Sequence, residues 1–302
     1  MSGSITLENR FGVNKMELIS LKYAIFVIVL LVLYYCFPKK YRWYVLLAGS
    51  MAYYVIICKW YVLFIIFTIC TTYGSTIWID KLLKEQNAIV KSHKEDWDRQ
   101  TRKEYKEKGR KKRVAVMLFA LLCNFGILAF LKYIPYAGEL GLLLPLGISF
   151  YTFQSMGYVM DVYREIVEPE KNFLKVALFV SFFPQIIQGP IAIYDKLAGQ
   201  LYEGHSLRLE NLQKGALLVL WGVIKKLVIA DRAVNIINFV MDKPMDFSGT
   251  YVFFAAVVYA LQLYADFSGG IDIVRGIAEM FGITMSTNFN HPYFSRSLTE
   301  YW

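Results

Sequence analysis

Apolar residues come in long runs along this chain, and the runs are separated by short polar breaks. Tyr23–Phe37 is the first, closed by Pro38-Lys39-Lys40. Trp43–Cys58 and Trp60–Ile79 follow with Lys59 as the one charge between them, which demands a tight connection. Val114–Lys132, Leu142–Met160, Phe173–Ile193, Leu212–Ala230 and Tyr251–Ala265 continue the series. Several approach the ~20 apolar residues that a helix needs to cross a bilayer. Trp43, Trp60, Tyr61 and Trp78 lie near run ends, where interfacial aromatics concentrate. The pattern predicts an all-α, polytopic membrane protein, built as one integral-membrane region over residues 1–302.

Two runs do not read as plain lipid-facing spans. Leu142–Met160 carries Pro145, Gly147, Ser149, Gln154, Ser155 and Gly157. Phe173–Ile193 carries Pro184, Gln185, Gln188, Gly189 and Pro190. Each proline removes a backbone donor and breaks or kinks a helix. Irregular backbone at membrane depth is tolerated where it packs in protein or lines a cavity. A broken or re-entrant helix over 173–193 is therefore expected, against the alternative of an ordinary Pro-kinked span.

Composition agrees. The chain has 302 residues, is 56% hydrophobic and 17% aromatic, and has a mean hydropathy of +0.39; a soluble domain is nearer 45–50% apolar. The net charge of +9 matters through its placement. Residues 80–113 hold 13 Lys and Arg against 7 Asp and Glu, in a helix-friendly pattern of opposite charges three or four apart. This segment reads as a solvated cytoplasmic loop or helix, and nothing else supports nucleic-acid binding. Basic residues favour the cytoplasmic side, so the third run ends inside, Lys39, Lys40 and Arg42 are also inside, and the N-terminus is external. Residues 1–20 are mixed and polar with no small-residue cleavage site, so no cleavable signal peptide is expected. Cys36, Cys58, Cys70 and Cys123 lie in or beside apolar runs without a CxxC pair, and neither a disulfide nor a zinc site is expected. No metal or organic cofactor is indicated.

The most informative stretch is Tyr259–Trp302 (YALQLYADFSGGIDIVRGIAEMFGITMSTNFNHPYFSRSLTEYW). An apolar run meets Asp266, Ser268 and the Gly269-Gly270 pair, then resumes as a helix-like segment with Asp272, Arg275 and Glu279. Charges this close to apolar runs face a protein interior or a watery cavity. Asp272 and Arg275 stand at i and i+3, where a local ion pair forms. Asp266 and Arg275 are also expected to pair, either with each other or with partners elsewhere in the chain. Lys225-Lys226 interrupts the run 212–230, and lysines so placed snorkel to a membrane surface. Residues 231–249 read as a mixed connection, and His205 as a solvated loop histidine.

Four segments together resemble the membrane-bound O-acyltransferase (MBOAT) family: Leu144–Glu165 (LPLGISFYTFQSMGYVMDVYRE), Phe182–Ala192 (FFPQIIQGPIA), Trp221–Ala233 (WGVIKKLVIADRA) and Tyr259–Trp302. The combination is specific although no single piece is. It is most similar to the bacterial branch that O-acetylates exopolysaccharides such as alginate, with the D-alanyl transfer protein of teichoic acids as a near relative. The resemblance implies a multi-helix bundle that moves acetyl groups onto hydroxyls of a cell-surface or exported polysaccharide. It implies a bacterial plasma-membrane location, an acyl-CoA or acyl-carrier donor, a polysaccharide acceptor and an extracytoplasmic acetyltransferase partner. It covers only the N-terminal and central part of such a protein. The family's catalytic histidine is expected beyond Trp302, so none of His93, His205 and His291 is assigned that role and the C-terminal catalytic part is expected to be missing. Gln185, Gln188, Asp266, Ser268, Arg275, Asn288 and Asn290 are the candidate lining of a tunnel. D-alanyl transfer to teichoic acid is the alternative within the family. A transporter is the alternative from another class, since broken helices and intramembrane charges also mark transport paths; it predicts an inverted repeat, and none is visible. An inactive remnant of the enzyme is the third reading.

Overall fold

The structure is a computed structural model that describes residues 18–93, 95–133, 144–287, 289 and 292–301. Among the described residues the ordered elements are all helical. They are α1 (Leu21–Cys36), α2 (Arg42–Cys58), α3 (Val62–Ser92), α4 (Arg99–Tyr133), α5 (Ile148–Tyr163), α6 (Phe173–Ser181), α7 (Phe183–Gln188), α8 (Tyr194–Tyr202), α9 (Leu209–Val223), α10 (Asp231–Met241), α11 (Gly249–Met280) and α12 (Leu298–Tyr301). Three helical stretches, Lys39–Ser92, Arg99–Tyr133 and Gly249–Met280, are long and apolar enough to cross a membrane. Large apolar side chains stand exposed along them, Leu122 and Phe253 each at 72%, as surfaces that meet lipid do. The protein is an all-α polytopic membrane protein.

The chain divides into two compact units. The first contains Trp43–Ile186 and Ile191–Glu203. In it α3 packs on α4, α5 and α6. Its packed face on α3 is made of small hydroxyl residues, Thr68, Thr72, Ser75 and Thr76. The hydroxyls of Thr72, Ser75 and Thr76 donate to carbonyls one turn back, as Thr76 does to Thr72 O at 2.9 Å, so these three meet the neighbouring helices with their donors used. Asn124 of α4 donates to Thr71 Oγ1 across the pair at 2.9 Å.

The expected broken helix is present at Phe182, between α6 and α7. Pro184 sits in the first turn of α7, where a missing N–H costs nothing. In an unbroken helix Phe183 N–H would donate to Phe179 O. Here Ser50 Oγ of α2 accepts from Phe183 N–H at 3.1 Å, and Gln154 Nε2 of α5 donates to Phe179 O at 2.9 Å. Both freed backbone groups are buried and both are satisfied by side chains, which apolar surroundings require.

Of the two forms expected for the polar segment, residues 80–92 and 99–113 take the helical one, as continuations of α3 and α4. Other expectations change. Pro145 and Gly147 precede α5 rather than interrupt it, and Gly147 starts the helix with φ 70°. Residues 231–241 form α10, so the mixed connection is shorter than the sequence suggested. Gly269-Gly270 does not interrupt α11, which runs 32 residues without a break.

The second unit contains Ile187–Pro190, Gly204–Trp302 and the segment that ends at Arg42. Arg42 ties α1 to the loop after α8. Its Nε donates to Phe37 O at 2.9 Å, one Nη donates to Tyr35 O at 3.1 Å, and the other donates to His205 O. Tyr35 Oη donates to Met280 O at the end of α11 at 2.7 Å.

Candidate functional site

The second unit is built on the pairing of α9 with α11. Gly215 lies against Gly276 and Gly222 against Gly269. Seven residues forward in α9 are matched by seven back in α11, so the helices run antiparallel with a glycine contact every two turns. A Cβ on Gly222 would stand 2.5 Å from Gly269 O, and one on Gly215 would stand 2.5 Å from Gly276 O. Small residues at such a seam let backbones approach closely where no hydrophobic force drives helices together. Gln188 closes on the neighbouring glycine, with its Oε1 2.2 Å from where a Cβ of Gly270 would be.

Immediately after Gly222 the helix widens. Ile224–Ala230 is a π-helical turn between α9 and α10. Such turns are rare and concentrate at functional sites. This one carries Lys225 and Lys226, and both reach α11. Lys225 Nζ donates to Asp272 Oδ2 at 2.6 Å, and Arg275 Nη1 donates to Asp272 Oδ1 at 3.3 Å. Lys226 pairs with Asp266. The side chains of Lys225 and Asp272 are only 16% and 12% exposed. Lys225 also lies over the Trp221 ring, 5.5 Å from its centroid, a cation–π contact that adds to its hold. The network sets three cations against two carboxylates, a surplus of one positive charge. Two polar atoms inside it, Arg275 Nε and Ser268 Oγ, are buried without a hydrogen-bond partner among the described residues. A half-buried cation with a buried, unused donor is suited to hold an anionic group or a developing oxyanion.

The sequence placed some of these residues correctly. The Asp272–Arg275 pair forms as the i, i+3 spacing implied. Asp266 does not pair with Arg275: nine residues along a continuous helix is two and a half turns, so the two side chains leave opposite faces. Lys225 and Lys226 do not snorkel outward; the α9–α11 packing turns both onto carboxylates. His205 is not a solvated loop residue but half-buried, its Cβ and Cγ packed on Gly282, whose φ is 81°. Gln188, Ser268, Asp266 and Arg275 all belong to the second unit, while Gln185 is a buried residue of the first. Asn288, Asn290 and His291 lie outside the described residues. Residue-by-residue reading missed Lys225, Lys226 and Asp272 as one cluster. The signal was the matching seven-residue glycine spacing in both segments, which sets the register between them.

No family model matches the chain. It is 32% identical over 224 residues to the peptidoglycan O-acetyltransferase of Helicobacter pylori, covering 62% of this chain and 42% of that protein. It is 38% identical over 162 residues to the probable alginate O-acetylase AlgI of Pseudomonas syringae, covering 53% and 30%. Over these stretches the chain is similar to two O-acetyltransferases, one named for peptidoglycan and one for alginate. It spans less than half the length of these curated relatives. A weaker similarity, 25% over 163 residues, joins it to the teichoic acid D-alanyltransferase of Bacillus subtilis, covering 52% of this chain and 40% of that protein.

Proposed function

We propose that the protein is a membrane-embedded O-acyltransferase that moves acetyl groups onto hydroxyls of an exported or cell-surface polysaccharide. The observation that carries this reading is a half-buried cationic network set in apolar helices, in a chain similar to two kinds of polysaccharide O-acetyltransferase. In the reaction a sugar hydroxyl oxygen attacks the acyl carbonyl carbon. The bond to the donor's sulfur or oxygen breaks, and the hydroxyl proton passes to that leaving atom. Negative charge grows on the carbonyl oxygen in between, and fixed cations stabilise it best where water is excluded. Arg275 and Lys225 are the groups assigned to that role. Gln188, Asp266 and Ser268 line the path beside them, and Gln185 is retained as a lining residue of the first unit.

The donor is a cytoplasmic acyl-CoA or acyl carrier, and an extracytoplasmic acetyltransferase is the partner. The membrane is the bacterial plasma membrane, with residues 80–113 inside and the N-terminus outside. A reporter fused at the N-terminus that is active only in the cytoplasm overturns this orientation.

The test of function is deletion of the encoding gene in its own host, followed by base-released acetate and D-alanine from purified surface glycans. Loss of ester-linked acetate, restored by the intact gene, supports the proposal. Loss of D-alanine alone moves the activity to the teichoic acid class. No change in either ester sinks both.

A further inference from the structure

The first unit holds a second cationic feature outside the network above. Where α3 and α4 continue beyond their apolar lengths, a cleft of about 490 Å³ opens between them. Gln86 of α3 faces Lys103, Lys106, Arg110 and Arg113 of α4 across it. Glu107 and Glu165 are its only carboxylates, so the lining keeps a surplus of two positive charges. The floor is built rather than incidental. Gln86 lies directly on Gly109, where a Cβ would stand 2.5 Å from its Cδ, and its Nε2 donates to Lys106 O at 2.9 Å.

Two groups in this floor are unsatisfied. Arg113, only 9% exposed, gives Nη1 to Glu165 Oε1 at 3.2 Å, while its Nε is buried with no hydrogen-bond partner among the described residues. Gln86, 5% exposed, has a buried Oε1 equally without a partner. Buried polar atoms are normally paired, and an unpaired donor and an unpaired acceptor in the lining of one cleft ask for a ligand that accepts at one point and donates at another. A phosphate accepts, and a hydroxyl on the same molecule donates.

Depth selects the source. Arg113 directly precedes the apolar stretch that starts at Val114, and Arg110 is about 4.5 Å further out. The head-group layer outside the hydrocarbon is about 5–7 Å deep on each side. The two arginines thus stand at phosphate level, with Lys106 and Lys103 in the water above. Basic pockets between membrane helices hold acidic lipid head groups in this way.

We propose that this cleft binds the head group of an acidic, hydroxyl-bearing phospholipid, with the phosphate on Arg110 and Arg113 and a head-group hydroxyl on Gln86. The site does not depend on the acyl-transfer reading. The test uses the full chain in nanodiscs of phosphatidylcholine with graded phosphatidylglycerol, and native mass spectrometry to count retained lipid. Because Arg113→Gln risks the fold, the working variant is Lys106→Gln/Arg110→Gln. Each lost cation is worth about fivefold in affinity, the factor that corresponds to ~1 kcal/mol, so the pair should lose about 25-fold. Lys108→Gln/Lys112→Gln removes the same charge from α4 outside the cleft and should change retention little. Equal loss in both variants overturns the site in favour of diffuse attraction. Displacement of the lipid by coenzyme A or glycerol phosphate at equal concentration overturns the lipid source and leaves a soluble organic phosphate in its place.

Discussion

Replacement of Asp272 by Asn tests whether the ionic network holds α9 to α11. The carboxylate receives Lys225 at 2.6 Å and Arg275 at 3.3 Å, with all three side chains at most 20% exposed. Asn keeps the shape and removes the charge, which leaves two neighbouring cations with no counter-ion in an apolar setting. Removing one partner of a buried pair costs about 3–5 kcal/mol, because the other charge stays buried. Lys225→Met is milder, at about 1–2 kcal/mol, because Arg275 still neutralises Asp272. The triple change Lys225→Met/Asp272→Leu/Arg275→Met removes every uncompensated charge and should return close to the parent stability. The assay is reversible denaturant unfolding in mixed micelles, with ester-linked acetate measured in parallel in cells. Asp272→Asn within 1 kcal/mol of the parent, or Lys225→Met as costly as Asp272→Asn, refutes the charge argument. A stable triple variant that still acetylates shows the network to be structural rather than catalytic.

Gly222→Ala forces a Cβ to 2.5 Å from Gly269 O, and overpacking of this kind costs about 1–3 kcal/mol in the same unfolding assay. Gln154→Leu strips the Phe179 carbonyl of its donor and should cost about 1–3 kcal/mol, the penalty for a buried unpaired group. Asp98 Oδ1 accepts from Thr101 N–H at 2.8 Å at the start of α4, and these hydrogen bonds hold its carboxyl below the ordinary range. Its folded pKa is depressed, so the cap is intact above the unfolded value near 4 and is lost as pH falls through the lower folded one. The protection factors of amides 99–102, with the intrinsic pH dependence of exchange divided out, should therefore fall below about pH 4 in the parent, and Asp98→Ala should show the low protection at neutral pH with no further acid step.

Most of the architecture was legible because hydrophobic runs and prolines report directly on local structure. The break at Phe182 was readable in Pro184, since a missing N–H is a covalent fact. What satisfies the break was not: Ser50 and Gln154 lie 133 and 25 residues from their backbone partners, and no local pattern links them. The polar segment 80–113 was harder to judge as helix or loop. Its opposite-charge spacing suits either, and only the packing of Gln86 on Gly109 shows why both arms stay helical.

The candidate site was misjudged at one point, and the error propagated. Gly269-Gly270 reads as punctuation under soluble-protein habits, because glycine weakens an exposed helix by about 1 kcal/mol. Against another helix in apolar surroundings the missing Cβ is instead what permits contact. Once α11 is taken as continuous, the rest follows from geometry. Asp266 and Arg275 must diverge, Asp272 and Arg275 must converge, and Gly269 and Gly276 must repeat on one face. Gly215 and Gly222 repeat with the same interval, so the only antiparallel register that seats both pairs sets the π-helical turn with Lys225 and Lys226 at the level of Asp266 and Asp272. Lysines in an apolar run are therefore not decided by their own neighbours. Their direction is decided by whether a facing helix offers glycine spacing that matches theirs and a carboxylate within one turn of it.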